Sequence, residues 1–250
     1  MRLDLFLVEN NYFESRTKAK VAIEAGAICV DGNIILKSNY EVNQSSHIDI
    51  VKSVHPYVSR GGLKLEAAIQ SFQLDFKDKT VLDVGASTGG FTDCSLKFGA
   101  KLVYAVDVGT MQLDSSLRGR DDVIVLEQTN IAEVEAFPVS FDYIVMDVSF
   151  VSIEKLLPAI HRFLAEEAIW ICLIKPQFEV GKRYLKNGIV KDRALHIKVL
   201  EQISSALEQY QMGIYKLIPS PILGGSGNKE FLALIKRNIP TRVNLIEVCK

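Results

Sequence analysis

Lys64, Asp147, Lys175 and Glu230 follow one another along the chain at places where strand-like and helix-like blocks change over. Two lysines and two carboxylates gathered at one point make a proton-handling site. A lysine ammonium stabilises a developing alkoxide, and a lysine with a depressed pKa accepts a proton from a hydroxyl nucleophile. Neighbouring lysines lower each other's pKa, whereas a carboxylate between them orients both and opposes that shift. Each lysine alone reads as a solvated residue on an α/β surface; the order and positions of the four single them out.

A second group is Val81-Leu82-Asp83-Val84-Gly85-Ala86-Ser87-Thr88-Gly89-Gly90-Phe91, an apolar strand, a glycine-rich turn and a helix start. Gly85, Gly89 and Gly90 let the backbone pass close to a ligand. In an open α/β sheet the crevice beyond the strand carboxyl ends is where ligands sit. The spacing departs from Gly-x-Gly-x-x-Gly, which weakens a pyrophosphate reading. Asp107 stands 24 residues after Asp83, at the end of Val103-Tyr104-Ala105-Val106, placed to accept hydrogen bonds from both hydroxyls of a ribose. An adenosine without phosphates satisfies both features and points to S-adenosylmethionine rather than a dinucleotide. The bland alternative is a tight turn with a solvated acid. Thr129 and Asn130 are weaker candidates for the adenine edge.

The elements that must position these groups alternate from Thr80 onwards. Strand candidates are Val81–Val84, Leu102–Val108, Val123–Leu126, Tyr143–Val148, Ile169–Ile174, Ile214–Ile218 and Phe231–Lys236. Helical candidates between them include Thr92–Lys97, Ile153–Glu167 and His196–Tyr210, and Leu63, Ala67 and Ile69 begin one before the first strand. Such alternation predicts a parallel, doubly wound α/β sheet with helices on both faces. Asp147 and Lys175 then end the fourth and fifth strands. Glu230 starts a reversed final strand, whose beginning lies beside the same carboxyl ends.

The first 55 residues are organised separately. Leu3, Phe6 and Leu7 recur at helical spacing until Asn10-Asn11, Ser15 is an N-cap for a helix carrying Ala19, Ala22 and Ile23, and Gly26 suits a left-handed C-terminal position. Asp31-Gly32-Asn33 between apolar runs signals a hairpin, and Val42–Val51 supplies a further strand candidate. Lys52–Ser59 reads as a joint. The expected division is a small domain at 1–55, a larger one at 56–240, and an unassigned tail at 241–250.

Composition sets bounds. The chain has 250 residues, 48% hydrophobic and 24% charged, with formal net charge -1. This excludes a histone-like polycation but leaves RNA binding through a local basic face. The apolar run Ala168–Ile174 is about a third of a membrane span, and Asp4 and Glu9 interrupt the N-terminal hydrophobics, so a soluble cytosolic protein is expected. Cys29, Cys94, Cys172 and Cys249 form no Cys-x-x-Cys pair, and His47, His55, His161 and His196 do not cluster, so no metal, disulfide framework or cysteine nucleophile is expected.

Arg2-Leu3-Asp4, Ser15-Arg16-Thr17-Lys18-Ala19, Gly26-Ala27-Ile28-Cys29-Val30-Asp31-Gly32 and Lys37-Ser38 resemble the alpha-L RNA-binding motif. That resemblance implies contact with structured RNA through Arg2, Arg16, Lys18 and Lys20, although seven basic and seven acidic residues through Arg60 make charge alone uninformative. The chain order Lys64, Asp147, Lys175, Glu230 is similar to the Lys-Asp-Lys-Glu tetrad of FtsJ-type ribose 2'-O-methyltransferases. Tyr57–Leu65, Asp83–Asp93, Tyr104–Gly109, Asp147–Ser152, Lys175–Glu179 and Gly227–Glu230 extend the match. Together with the N-terminal module these blocks resemble the TlyA (hemolysin A) family of ribosomal RNA cytidine 2'-O-methyltransferases over about residues 1–236.

The resemblance implies a Rossmann-like methyltransferase with a mostly parallel seven-stranded sheet, its last strand antiparallel, and a small N-terminal α+β RNA-binding domain. It implies S-adenosyl-L-methionine bound by Asp83, Gly85, Ala86, Ser87, Thr88, Gly89, Gly90, Phe91, Asp107, Thr129 and Asn130. Lys175 is then base or alkoxide stabiliser, positioned by Lys64 and Asp147, with Glu230 fixing the ribose or the lysine network. Ribosomal RNA is the implied partner, with Arg60 among its contacts and the target nucleotide turned out of its stack. Gly181–Arg193, with Lys182, Arg183, Lys186, Lys191 and Arg193 against Asp192 alone, reads either as a grip on phosphates beside that nucleotide or as a plain solvated loop. A membrane-damaging hemolysin, a non-catalytic RNA-binding assembly factor and a small-molecule methyltransferase are the competing classes.

Overall fold

The computed structural model describes residues 1–13, 15–51, 56–224 and 227–249; part of the Lys52–Ser59 joint, with His55, lies outside them, as do Lys250 and the Lys182 side chain. The chain divides into two compact units, Met1–Arg60 and Gly61–Lys250.

The small unit holds helices α1 (Leu3–Glu9) and α2 (Arg16–Glu24) and strands β1 (Ile28–Val30), β2 (Asn33–Ile34) and β3 (Ile48–Ile50), in the antiparallel order β2-β1-β3. Ser15 caps α2 by accepting from the Lys18 N–H. Asp31 and Gly32 both take positive φ, +49° and +82°, the geometry of a two-residue hairpin that follows the strand twist. Leu3, Leu7, Ala19, Ile23, Ile28 and Val30 make a thin core. The expected strand over Val42–Val51 shortens to Ile48–Ile50. Asn43 turns the chain instead, its Oδ1 accepting from the Ser45 N–H at 2.9 Å.

The larger unit runs α3 (Gly61–Phe72), β4 (Thr80–Val84), α4 (Gly90–Lys97), β5 (Leu102–Val106), α5 (Ser115–Arg118), β6 (Val123–Leu126), β7 (Tyr143–Met146), α6 (Ile153–Phe163), β8 (Ile169–Ile174), α7 (Pro176–Glu179), α8 (Arg193–Glu208), β9 (Met212–Pro219), β10 (Phe231–Arg237) and α9 (Leu245–Val248). Its seven strands lie in the order β6-β5-β4-β7-β8-β10-β9, with β4 to β8 mutually parallel and β10 antiparallel to both neighbours. Successive strands diverge to opposite sides of β4, so the switch point where ligands bind lies at the ends of β4 and β7.

β8 shows why these strands were apolar runs: Trp170 through Ile174 are all buried, covered on both faces of the sheet. Helix α6 stops at Phe163, short of the expected Glu167, because Leu164 turns extended and buries in the core. The tail left unassigned contains α9, capped by Asn244, and packs Cys249 into the main core. All four cysteines are buried, one in the small unit and three in the larger. Among the described residues no helix is long and apolar enough to cross a membrane.

Candidate active site

The strand register brings the four charged residues together. Phe231 pairs with Ile174, which sets Glu230 across from Lys175 where β10 meets β8. Asp147 follows β7 on the other side of β8. Lys175 Nζ lies 2.5 Å from Asp147 Oδ1 and donates to Ser149 Oγ at 2.8 Å. Lys64, from the first turn of α3, is buried with its Nζ 2.7 Å from Glu230 Oε2. Gln177 closes the circuit from α7, donating from Nε2 to Glu230 Oε1 at 2.9 Å. The result is two lysine–carboxylate pairs on adjoining elements, each with a neutral partner.

Gly224 is what allows Glu230 its place. A Cβ there would sit 2.3 Å from Glu230 Oε1, so any side chain at 224 displaces the carboxylate.

A cavity of about 500 Å³ opens at the switch point, lined by Gly85, Ser87, Asp107, Thr129, Asn130, Asp147 and Ser149 among others. Gly85 has φ +83°, and a Cβ on it would come 2.9 Å from the Asp147 carbonyl oxygen; this close approach of β4 to β7 admits only glycine. Asp107 is aimed by two backbone N–H groups, with Ser87 donating to Oδ2 at 2.8 Å and Gly109 to Oδ1 at 2.7 Å. Asp83 is fully buried. Its Oδ2 accepts from the Thr92 hydroxyl at 2.6 Å, while Oδ1 has no hydrogen-bond partner among the described residues. Burial pushes the Asp83 carboxyl up to about 7, against the lowering effect of Thr92.

Of the residues read as cofactor contacts, Gly85, Ser87, Asp107, Thr129 and Asn130 line this cavity. Asp83, buried on β4, is not among its lining residues, and nor are Ala86, Thr88, Gly89, Gly90 and Phe91. The latter build the turn and the start of α4, Gly89 with φ +94° and Phe91 in the core. The carboxamide of Asn130 is engaged locally, accepting from the Ala132 N–H and donating to Glu133.

Sequence reasoning missed several wall residues. Val108, Gln112, Val148, Ser149, Phe150 and Val151 also line the cavity. Phe150 is the most distinctive, a bulky residue at φ +66° and 90% exposed, its ring 4.8 Å from that of Phe178. A non-glycine residue in that backbone region stores strain that the surrounding structure must hold. Glu179 anchors the same loop, accepting from the Ser152 hydroxyl and the Ile153 N–H. Glu127 anchors the opposite wall: its carboxylate accepts from the N–H groups of Met111, Gln112 and Leu113 and pairs with both Nη atoms of Arg118. That guanidinium holds the Glu127 carboxyl at about 2. No periodicity or motif marks Glu127, because its partners come from a loop fourteen to sixteen residues away.

The cationic candidates differ in their freedom. Arg2 and Arg16 both grip the buried Asp4, with N–O distances of 2.9 Å. Their hydrogen bonds, Arg2 first, hold the Asp4 carboxyl at about 2. Part of the basic character read at the start of α2 is therefore neutralised within the small unit. Lys20 lies 3.7 Å from Glu24, Arg183 stacks on Tyr184, Lys18 is an exposed position of α2, and Arg60 is half-buried just before α3.

Comparison with known proteins follows the same division. A family model described as FtsJ-like methyltransferase matches residues 57–237, and one described as the S4 domain matches residues 1–48. The chain is 41% identical to Hemolysin A of Brachyspira hyodysenteriae, over 93% of this chain and 98% of that protein. It is 36% identical to the 16S/23S rRNA (cytidine-2'-O)-methyltransferase TlyA of Mycobacterium tuberculosis, over 94% and 89%. A solved structure of a Streptococcus thermophilus protein described as a hemolysin is 39% identical, with a TM-score of 0.78 over 100% of this chain and 94% of that one. A sheet with its last strand reversed, a cavity at its switch point and a model match across most of the larger unit agree: the chain belongs to the FtsJ-like methyltransferase family.

Proposed function

We propose that this protein transfers the methyl group of S-adenosylmethionine to the ribose 2'-oxygen of a cytidine in ribosomal RNA. The observation that carries this reading is a shared wall: Asp147 and Ser149 line the cavity and also hold Lys175. A group bound in the cavity is thereby next to the ammonium that would meet an attacking hydroxyl. The substrate class follows from the relatives named as rRNA cytidine methyltransferases and from the S4 domain.

The residues fit the cofactor. Asp83 Oδ1, buried one residue before the wall residue Val84, is an acceptor with no partner among the described residues, which an ammonium would satisfy, and Asp107 presents a carboxylate already fixed for two ribose hydroxyls. Bound there, S-adenosylmethionine supplies an electrophilic methyl group on a sulfonium. Lys175 stabilises the developing 2'-alkoxide or takes the hydroxyl proton, while Asp147 and Ser149 hold its Nζ on line. Lys64, Glu230 and Gln177 fix the far wall against which the ribose sits. Phe150 offers an exposed ring at the rim for a base turned out of its stack.

The direct test is transfer of labelled methyl from S-adenosylmethionine to purified small and large ribosomal subunits. Label mapping to a ribose 2'-oxygen is expected; no label on either subunit, with cofactor binding intact, overturns the substrate.

Cofactor affinity is expected to depend on pH through Asp83. Its folded pKa is raised, so the protonated form is favoured, and that contribution to stability is full below the ordinary carboxylate range and lost as pH rises through about 7. A cationic ligand group favours the opposite, ionised form. Calorimetry with S-adenosylhomocysteine should therefore show roughly tenfold weaker binding at pH 6 than at pH 8. Asp83→Asn should flatten the dependence; an unaltered protein with flat affinity contradicts this role.

Glu127→Ala should loosen the loop from Val108 to Leu113, leaving three N–H groups without their acceptor. Roughly tenfold weaker cofactor binding is expected, with the turnover at saturating cofactor retained. Equal loss in both would mean that Glu127 supports the fold at large.

A further inference from the structure

The segment Gly181–Arg193, which runs from beyond α7 to the first residue of α8, carries Lys182, Arg183, Lys186, Lys191 and Arg193 against a single acid, Asp192. Asp192 is occupied as the cap of α8, its Oδ1 accepting from the Ala194 N–H. In a chain of net charge -1 this is a concentrated cationic stretch.

It is also built to be stiff. Lys186 and Ile189 exchange both backbone hydrogen bonds, at 3.0 and 3.1 Å, across Asn187 and Gly188. Those two residues have φ +53° and +78°, the consecutive left-handed pair of the tightest hairpin turn. Lys186 and Lys191 flank this hairpin, both exposed and neither in an ion pair among the described residues.

What fixes the hairpin is Asn228, 1% exposed. Its Oδ1 accepts from the Val190 N–H and its Nδ2 donates to the Gly188 carbonyl, both at 2.9 Å. Its own carbonyl accepts from the Gly224 N–H. Buried His196 adds a second tie, Nε2 lying 3.1 Å from the Val190 carbonyl oxygen. Asn228 stands two residues before Glu230, and Gly224 is the residue packed on the Glu230 carboxylate. One buried carboxamide thus joins the cationic hairpin to the loop that sets Glu230.

We propose that the Lys186–Lys191 hairpin is a rigid RNA-phosphate contact, and that Asn228 is the positioning residue that fixes its distance from the reacting ribose. The inference rests on the reading of an RNA substrate. A flexible basic loop would add affinity without register, whereas this hairpin holds a phosphate beside the target nucleotide at a set offset from Glu230 and Lys175.

The test uses the full chain and purified ribosomal subunits, with binding measured from 50 to 300 mM KCl. The double variant Lys186→Glu, Lys191→Glu is expected to bind about tenfold or more weakly and to lower the slope of log Kd against log salt by about two. S-adenosylhomocysteine affinity should stay unchanged. Asn228→Ala removes no charge, yet should also reduce the slope, because the lysines no longer meet their phosphates together. A wild-type slope in the double variant overturns the proposal, as does salt-independent binding by the unaltered chain. If the subunits are bound with the expected slopes but never methylated, the methyl-transfer reading fails and the RNA contact stands.

Discussion

Replacing Lys175 by alanine is expected to lower the rate of methyl transfer, at saturating RNA and cofactor, by about 10²–10⁴-fold. Lys175 is the one member of the four whose ammonium is shared between a carboxylate and a hydroxyl on the cavity wall, Asp147 and Ser149. Truncation removes the charge that would meet the 2'-oxygen and leaves Asp147 without its cation. Arginine at 175 separates the two roles. A guanidinium keeps the positive charge but does not give up its proton in a protein. If Lys175 acts by stabilising the alkoxide, Lys175→Arg retains a measurable part of the rate; if it takes the proton, Lys175→Arg is as inactive as alanine. Single-turnover rates on the same RNA decide between them, and an alanine variant with wild-type turnover removes Lys175 from the chemistry altogether.

The second large effect is on stability. Lys64 and Glu230 are both nearly withdrawn from solvent and 2.7 Å apart. Such a pair is costly to break one side at a time, because the survivor is left charged and buried, at about 3–5 kcal/mol. Glu230→Ala should therefore lower Tm by roughly 10 °C as well as abolish transfer. The double variant Lys64→Met, Glu230→Gln removes both charges, and Gln keeps an acceptor for Gln177. Its Tm is expected to return close to that of the unaltered protein, while methyl transfer stays absent. Recovery of activity along with Tm would mean that the pair serves only the fold.

Much of this arrangement is legible in the residues, and the reasons are local. Strands β5, β7 and β8 are buried on both faces, so they stand out as short unbroken apolar runs between polar segments, and Asp83 alone interrupts the run of β4. Lys175 and Asp147 are conspicuous because each is the first charge after such a run. The overshoot of α6 was also readable: Glu166 and Glu167 are unfavourable at a helix C-terminus, where the macrodipole is negative. Other parts have no local signal. Ser149 and Gln177 look like ordinary loop polar residues until β8 brings one to Lys175 and the other to Glu230. Asn228 and Glu127 act across 38 and about 15 residues of chain, through backbone groups that any residue carries. The pairing of Arg2 and Arg16 on Asp4 is equally invisible, since two cations near one acid in sequence can as well point to solvent.

The four buried thiols have a consequence of a different kind. Burial raises the Cys172 and Cys249 thiols further from ionisation. In the native protein burial screens all four from oxidants and alkylating reagents. Yet Cys29 lies in the small unit, Cys94 and Cys172 lie in the larger one, and Cys249 holds the C-terminal helix to its core. Whichever thiol becomes reactive first names the part of the molecule that has opened, so the chain carries its own site-resolved gauge of local unfolding.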